Sequence, residues 1–577
     1  MPLEEIVSSV PGSSTHTHRR AVVVGWIVLL GVLAGGFLFA PFNEDVRSQF
    51  AAARQADYRG WFPGNIVEAW DIKPIGNRMM IYGFYRAAAN LVAFRDKPTF
   101  ELFVHGLCLG GIMAGLAVVR RVIQGSPGSD ARVSPTSIGL GLVSILAVSY
   151  YVILQPEWFA SLLLLAAIGL TVSESPVAAV AAGLVASVLL PLKGVTVLLV
   201  PIVPVTWLLM GLDWRRRSLP FLGGLVLGFA LAVFVFLLYP QAWQDLVDAM
   251  AYQNSVGGFA PVRRGLRTIG VGFGGAMTHA PMLYVGLSCT LLVAFAGIAR
   301  RSFSDTLLLV AAWGCAVAVV MVQGKWFAYH YGVAIVPALL SVATWCSDRY
   351  AAWRESLPTA GRWKLLALAY LGNLVLAAIT WRYAPDQRGM LPWVCVVTAI
   401  LAVGLVQGDR FARLWGAMPT FVALVTGIGW ACVAAPWTPP ARSAALAGAE
   451  QLAYFSELDG RHRLSEEPSL LFLEGGEASY FITPRSALRW IYPLPLQRVH
   501  SNPELVRSAV HARALEQALA YEGQYIILDD TWMRSDQRLL PTLSEKIERE
   551  YEVIDSTDLL QDHGERNRYV LLRRRSL

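Results

Sequence analysis

The chain has 577 residues, of which 55% are hydrophobic and only 15% charged, against about 25% charged in an average soluble domain. Water offers no way to bury that much apolar surface, so an ordinary soluble fold is excluded and lipid is the solvent for most of the chain. The net charge of +7 comes from short Arg clusters between apolar runs, the pattern of cytoplasmic loops and not of a nucleic-acid surface.

His16-Thr17-His18-Arg19-Arg20 precedes an apolar run over 21–40. About 20 residues cross a hydrocarbon core of about 30 Å and exceed the apolar stretch of a signal peptide, so the run predicts an uncleaved first helix. Further runs of spanning length lie at 100–119, 137–154, 158–173, 176–191, 195–212, 219–239, 281–299, 305–322, 328–346, 364–381, 391–407 and 415–435. The runs at 158–173 and 176–191 are short enough to be broken or tilted. With the N-terminus inside, the inside connections carry Arg120-Arg121, Ser173-Glu174-Ser175, Arg215-Arg216-Arg217, Arg300-Arg301, Arg349 to Lys364, and Arg410 with Arg413. All but the second are basic, as the positive-inside rule expects, and this parity predicts about thirteen spans with residues 436–577 outside.

The C-terminal segment changes character. Strand-like runs at Leu470–Leu473, Tyr525–Leu528, Tyr551–Ile554 and Tyr569–Leu572 alternate with helical patterns near 503–521 and 539–549, which predicts a small α/β domain. Pro436-Trp437-Thr438-Pro439-Pro440 reads as the linker before it. The expected architecture is a polytopic α-helical membrane module over 1–435, with long outer loops at 41–99 and 240–280, then a soluble extracytoplasmic α/β domain over 436–577. The six Cys lie in or beside apolar runs; with no C-x-x-C or other metal-ligand spacing, they read as small packing residues.

The residues able to do chemistry gather on the outer face. Asn43-Glu44-Asp45 follows the first helix, either as a solvated helix stop or as a general base or cation site. Trp70-Asp71-Ile72-Lys73-Pro74-Ile75-Gly76-Asn77-Arg78 precedes the aromatics Tyr82, Phe84 and Tyr85. Lys73 and Arg78 there suit a lipid-linked phosphate, or simply anionic headgroups. Glu157 in the turn Gln155-Pro156-Glu157, Lys193 at the end of the fifth run, and Lys325 with His330 in Gln323-Gly324-Lys325-Trp326-Phe327-Ala328-Tyr329-His330 share this face. Single charges of this kind also snorkel without a role. In the second loop Arg263, Arg264 and Arg267 run against the positive-inside bias, and a bound anion would account for them.

The order and common sidedness of these elements resemble the GT-C superfamily of membrane glycosyltransferases, which includes protein O-mannosyltransferases and aminoarabinose transferases acting on lipid A. The resemblance covers most of the chain. It rests on the acidic pair Glu44-Asp45 after the first helix and the W-x-x-K-P-like Trp70 to Pro74. It rests also on Glu157 before the fourth helix, on Gln323-x-Lys325…Tyr329-His330, and on the terminal segment with Phe472-Leu473-Glu474-Gly475-Gly476 and Arg489-Trp490-Ile491-Tyr492-Pro493-Leu494-Pro495. The family's K-P-P reads Lys73-Pro74-Ile75 here.

What the resemblance implies is an inverting transfer of a sugar from a polyprenyl-phosphate donor to an acceptor glycan, lipid or protein, in the plasma (inner) membrane, with a cytoplasmic N-terminus. Asp45 or Glu44 would be the base that takes the acceptor's proton. Lys73, Arg78, Arg263, Arg264, Arg267, Lys325 and His330 would neutralise the leaving phosphate. Trp61, Trp70, Asp71, Tyr82, Glu157 and Lys193 would line the substrate groove. A divalent cation is compatible with the acidic pair but not required by it. A polysaccharide ligase or polymerase is a chemically close alternative. A transporter fits less well, because the helix interiors carry almost no charge apart from His105.

Overall fold

The structure, a computed structural model, describes residues 16–58, 73–124, 135–238, 247, 280, 282–323, 328–383, 439–482, 484–488, 496, 509–534, 540–562 and 564–576. The apolar runs at 391–407 and 415–435, nearly all of the loop 240–280, and Arg489 to Pro495 lie outside these residues.

Among the described residues four helices are long and apolar enough to cross a bilayer: Lys97–Val119, Trp214–Phe234, Met282–Arg300 and Ser304–Gln323. Their outward faces are apolar, with Leu219 77%, Val226 65% and Leu307 66% exposed. Water would drive such side chains inward, whereas in hydrocarbon only polar groups need internal partners. The chain is therefore read as a helical membrane protein. Shorter apolar helices accompany them at Val24–Leu38, Pro156–Val172, Pro176–Leu192 and Gly194–Met210.

Several runs that read as continuous spans are interrupted. The 137–154 run is the helix Pro135–Leu146 followed by turns as far as Gln155. The stretch after Pro176 breaks between Ser187 and Leu189, where Pro191 has no N–H to give the Ser187 carbonyl. Lys193 is then extended (φ −163°, ψ 110°), a 3-10 turn covers Gly194–Leu199, and the helix Ile202–Met210 completes the run.

The residues form two compact units. The first comprises Met1–Ala40, Leu109–Leu231 and Phe259–Ala435. Within it, small residues let helix backbones touch: a Cβ on Gly224 would sit 2.1 Å from the Val180 carbonyl oxygen, and one on Gly183 2.1 Å from that of Phe221. The helix Met282–Arg300 packs on Ile335–Trp345 through Gly286 and Ala338. A buried polar trio ties these two helices to Ser304–Gln323: Trp313 Nε1 donates to Thr290 Oγ1 at 3.0 Å, and Thr290 donates to Ser341 at 2.8 Å.

The second unit comprises Pro41–Cys108, Ala232–Gly258 and Pro436–Leu577. It holds a four-stranded sheet of β1 (Leu471–Leu473), β2 (Tyr525–Asp529), β3 (Tyr551–Leu560) and β4 (Arg566–Arg574), in the order β1-β2-β4-β3. β1 runs parallel to β2 and the other pairs are antiparallel, with a bulge between Val553 and Asp555. Side chains alternate between the two faces with the period of a strand. Leu471, Leu473, Ile526, Leu528 and Leu572 pack with Ala514, Leu543 and Ile547 on one side. Phe472, Ile527, Tyr569 and Leu571 pack with Phe455, Leu458 and Ala478 on the other.

Two expectations change here. The first long loop contains two helices, Glu44–Tyr58 and Ile75–Ala89, so Asn43-Glu44-Asp45 begins a helix and does not simply end one. Pro439 and Pro440, read as linker, open the 24-residue helix Pro439–His462. Proline suits a first turn because no carbonyl there awaits its missing N–H. The buried stripe Ala444, Ala447, Gln451, Phe455 and Leu458 follows at helical spacing.

Candidate functional site

Asn43 caps the Glu44–Tyr58 helix, its Oδ1 accepting from the Val46 amide at 3.0 Å. Glu44 and Asp45 thus fall in the first turn, where the unpaired N–H groups and the helix dipole favour acids. Their fates then separate. Glu44 and Asp562 clasp each other: the Glu44 amide donates to Asp562 Oδ2 at 3.0 Å, and the Asp562 amide donates to Glu44 Oε1 at 3.1 Å. Asp45 keeps 29% of its side chain exposed and places Oδ2 3.4 Å from Lys73 Nζ. Of the two acids the sequence left equivalent, Asp45 has the carboxylate that faces Lys73.

Pro74 (φ −61°, ψ 156°) turns the chain from Lys73 into the helix Ile75–Ala89. The two helices of the first loop are locked by Asn77, which donates to Gln49 Oε1 at 2.7 Å. Arg78 is half-buried one residue further on. Tyr82 donates to Asp57 Oδ1 at 3.1 Å, and Arg86 donates to the same oxygen at 2.6 Å. Tyr82, expected in a substrate groove, thus joins helix to helix. Asp57 had no signal of its own in the sequence.

Below the acidic turn is a buried polar core that sequence reading missed. Arg47 Nη1 donates to Asp562 Oδ1 at 3.2 Å and to Gln451 Oε1 at 3.1 Å. Burial pushes the Asp562 carboxyl up to about 6; Arg47 opposes this shift and Glu44 adds to it. Glu474 accepts amides from Gly476, Ala478 and Ser479 at 2.6, 3.1 and 3.2 Å, capping the helix Glu477–Phe481. Burial, then the neighbouring Glu474 carboxyl, holds Glu477 well above the usual carboxylate range. Tyr569 donates to Glu477 at 3.2 Å, and Tyr480 donates to Glu101 at 3.0 Å.

A second polar centre lies within the first unit. Glu157 is fully buried in the first turn of Pro156–Val172. Lys193 Nζ donates to Glu157 Oε1 at 2.5 Å and to Gln323 Oε1 at 3.0 Å. His330 Nε2 stands 3.6 Å from the same Glu157 oxygen. The 3-10 turn Ala328–Ala334 that carries His330 is held by Ser161, which donates to the Gly332 carbonyl at 2.8 Å. Three residues from separate stretches, expected in the substrate groove (Glu157, Lys193) and at the phosphate (His330), thus converge. The extended conformation of Lys193, placed by the helix break before it, is what brings its ammonium to Glu157.

Trp61, Trp70, Asp71, Arg263, Arg264, Arg267 and Lys325 lie outside the described residues. Among the described residues no three His, Cys, Asp or Glu side chains are grouped as a metal site.

No protein-family model and no curated protein matches the chain. Two solved structures align along it almost end to end. The apo state of ArnT from Cupriavidus metallidurans is 15% identical, with a TM-score of 0.49, covering 96% of this chain and 97% of that one. ArnT from the same organism bound to undecaprenyl phosphate is 14% identical, with a TM-score of 0.50, covering 96% and 98%. At such identity the second alignment speaks for architecture alone, and with the apolar helices it shows a helical membrane protein with the fold of ArnT.

Proposed function

We propose that this chain is a membrane glycosyltransferase that moves a sugar from a polyprenyl-phosphate donor to an acceptor hydroxyl or amine, with inversion. The observation that carries the reading is the Asp45 carboxylate: 29% exposed, in the first turn of a capped helix, and 3.4 Å from Lys73 Nζ. The likeness to a fold solved with undecaprenyl phosphate supports the class of donor.

Asp45 takes the proton from the acceptor as its oxygen or nitrogen attacks the anomeric carbon. The bond from that carbon to the phosphate oxygen breaks, and the lipid phosphate leaves with the electron pair. A hydroxyl is a poor nucleophile until a carboxylate relieves it of that proton. Charge growing on the phosphate calls for fixed cations, and Lys73 and Arg78 are assigned to it on the first outer loop. Arg263, Arg264, Arg267 and Lys325 keep the phosphate-binding role that their place in the sequence suggests, and Trp61, Trp70 and Asp71 that of groove residues. Glu157, Lys193 and His330 act as one unit, a buried acid neutralised by its partners. Glu44, bound to the Asp562 amide, is assigned a structural part. The reading places the reaction on the extracytoplasmic face of the plasma membrane, with residues 436–577 on that side. The acceptor is a glycan, lipid or protein.

Purified protein in lipid nanodiscs, incubated with radiolabelled polyprenyl-phosphate sugars and a membrane extract as acceptor source, tests this. Label should leave the polyprenyl phosphate, and Asp45→Asn should stop it. Label that stays on the lipid with every donor tried would refute the proposal.

A further inference from the structure

The helix that carries Asp45 is short and polar, and a helix of 15 residues with this composition has little stability in isolation. What holds it is therefore what aims Asp45. Its neighbour within the first loop contributes the Asn77–Gln49 bond and the Lys73–Asp45 pair. The larger set of buried polar links comes from the C-terminal segment. Asp562 and Glu44 exchange backbone-to-carboxylate hydrogen bonds, one residue before Asp45. Arg47, two residues after Asp45 and only 2% exposed, is gripped by Asp562 and Gln451. Gln451 is itself fixed, donating to the Leu560 carbonyl at 2.9 Å. About two turns further along, the Gln55 amide accepts from Ser486 N at 2.8 Å and donates to the Pro484 carbonyl at 3.1 Å, as a strand would. The fit is close: a Cβ on Gly448 would stand 2.7 Å from Arg47 Nη2.

We propose that Asp562 and Gln451 are positioning residues, which act through Glu44 and Arg47 to set the place of Asp45, so that the C-terminal segment is part of the machinery that aims the base. The proposal rests on the function proposed above. Each link brackets Asp45 by a residue or two, so loss of one lets the first turn shift or fray without removing any group that touches substrate. A displacement of about 1 Å at a reacting group costs on the order of a hundredfold in rate. Substrate binding, made by other residues, is left intact.

The test compares wild type with Asp562→Ala, Gln451→Ala and the conservative Asp562→Asn in nanodiscs, by steady-state kinetics and by amide hydrogen exchange. Asp562→Ala should lower kcat by roughly 10- to 100-fold with KM for the lipid donor unchanged. Exchange should rise over residues 44–58 and stay the same over Met282–Arg300. Gln451→Ala, the milder change, should show the same pattern to a smaller extent. Asp562→Asn, which retains an oxygen for the Glu44 amide, should recover much of kcat. Unchanged kcat, a rise in KM alone, or unaltered exchange over 44–58 would overturn the positioning role. A wild type inactive with every donor would sink the proposed function by itself, and the exchange measurement would still decide whether Asp562 holds the helix.

Discussion

Glu44 and Asp45 are adjacent carboxylates, and only a test that treats them differently separates a base from a clasp. Asp45→Asn keeps size and hydrogen-bonding capacity but removes the site for a proton. General-base catalysis contributes roughly 10²- to 10⁴-fold, so kcat should fall by that factor, about 3 to 5 kcal/mol of barrier. Loss of the pair with Lys73 is a much smaller matter: its groups are 11% and 29% exposed, and pairs near solvent are worth about 0–1 kcal/mol. Thermal stability should hardly change, so lost turnover could not be ascribed to unfolding. Glu44→Gln retains the Oε1 that accepts from the Asp562 amide. It should stay within about fivefold of wild type, the equivalent of about 1 kcal/mol. Transfer of label from polyprenyl-phosphate sugar, with an unfolding curve for each variant, measures both. Equal inactivation by the two changes, or an active Asp45→Asn, would refute the assignment.

Other outcomes follow from the same geometry. Lys193→Met strands the fully buried Glu157 and should cost about 3–5 kcal/mol; adding Glu157→Gln should restore most of it, as read by thermal unfolding in nanodiscs. Gly224→Ala forces a methyl against the Val180 carbonyl whereas Gly223→Ala meets open space, so the first should destabilise by about 1–3 kcal/mol and the second should not. The Asp562 carboxyl sits at about 6, above its ordinary 3.8. A raised carboxyl favours the folded state fully below its ordinary value and loses that contribution as pH climbs through 6. The melting temperature should therefore drop between about pH 4 and 6, and Asp562→Asn should flatten that slope; a slope unchanged by the substitution would assign it to Glu477, which titrates in the same direction.

The sequence exposes what hydropathy can see. Helices such as Met282–Arg300 and Ser304–Gln323 coincide with apolar runs because each is long and apolar enough to cross a bilayer. The helices Glu44–Tyr58 and Pro439–His462 escape that reading, because protein and not lipid covers them. Local signals were present: Asn43 before two acids for the first, a proline start and the Ala444–Leu458 stripe for the second. Asp45 and Lys73 were singled out in the first long loop, and the structure brings them to 3.4 Å of each other. Pairings such as Glu157 with His330, or Arg47 with Asp562, were not. They join residues 173 and 515 positions apart, and nothing local in a chain specifies such a meeting. Lys193 was placed at the end of a helix; only the break imposed by Pro191 turns it toward Glu157.

The clasp between Glu44 and Asp562 spans 518 positions, which gives it a place in time as well as in space. A ribosome adding roughly 5–20 residues per second delivers the distal partner about half a minute to two minutes after the proximal one. Throughout that interval the nascent chain has its early helices in the bilayer while its Asp45 turn awaits its restraint. On the function proposed above, truncated or stalled products would therefore transfer sugar far more slowly than the finished chain, a consequence of chain order alone.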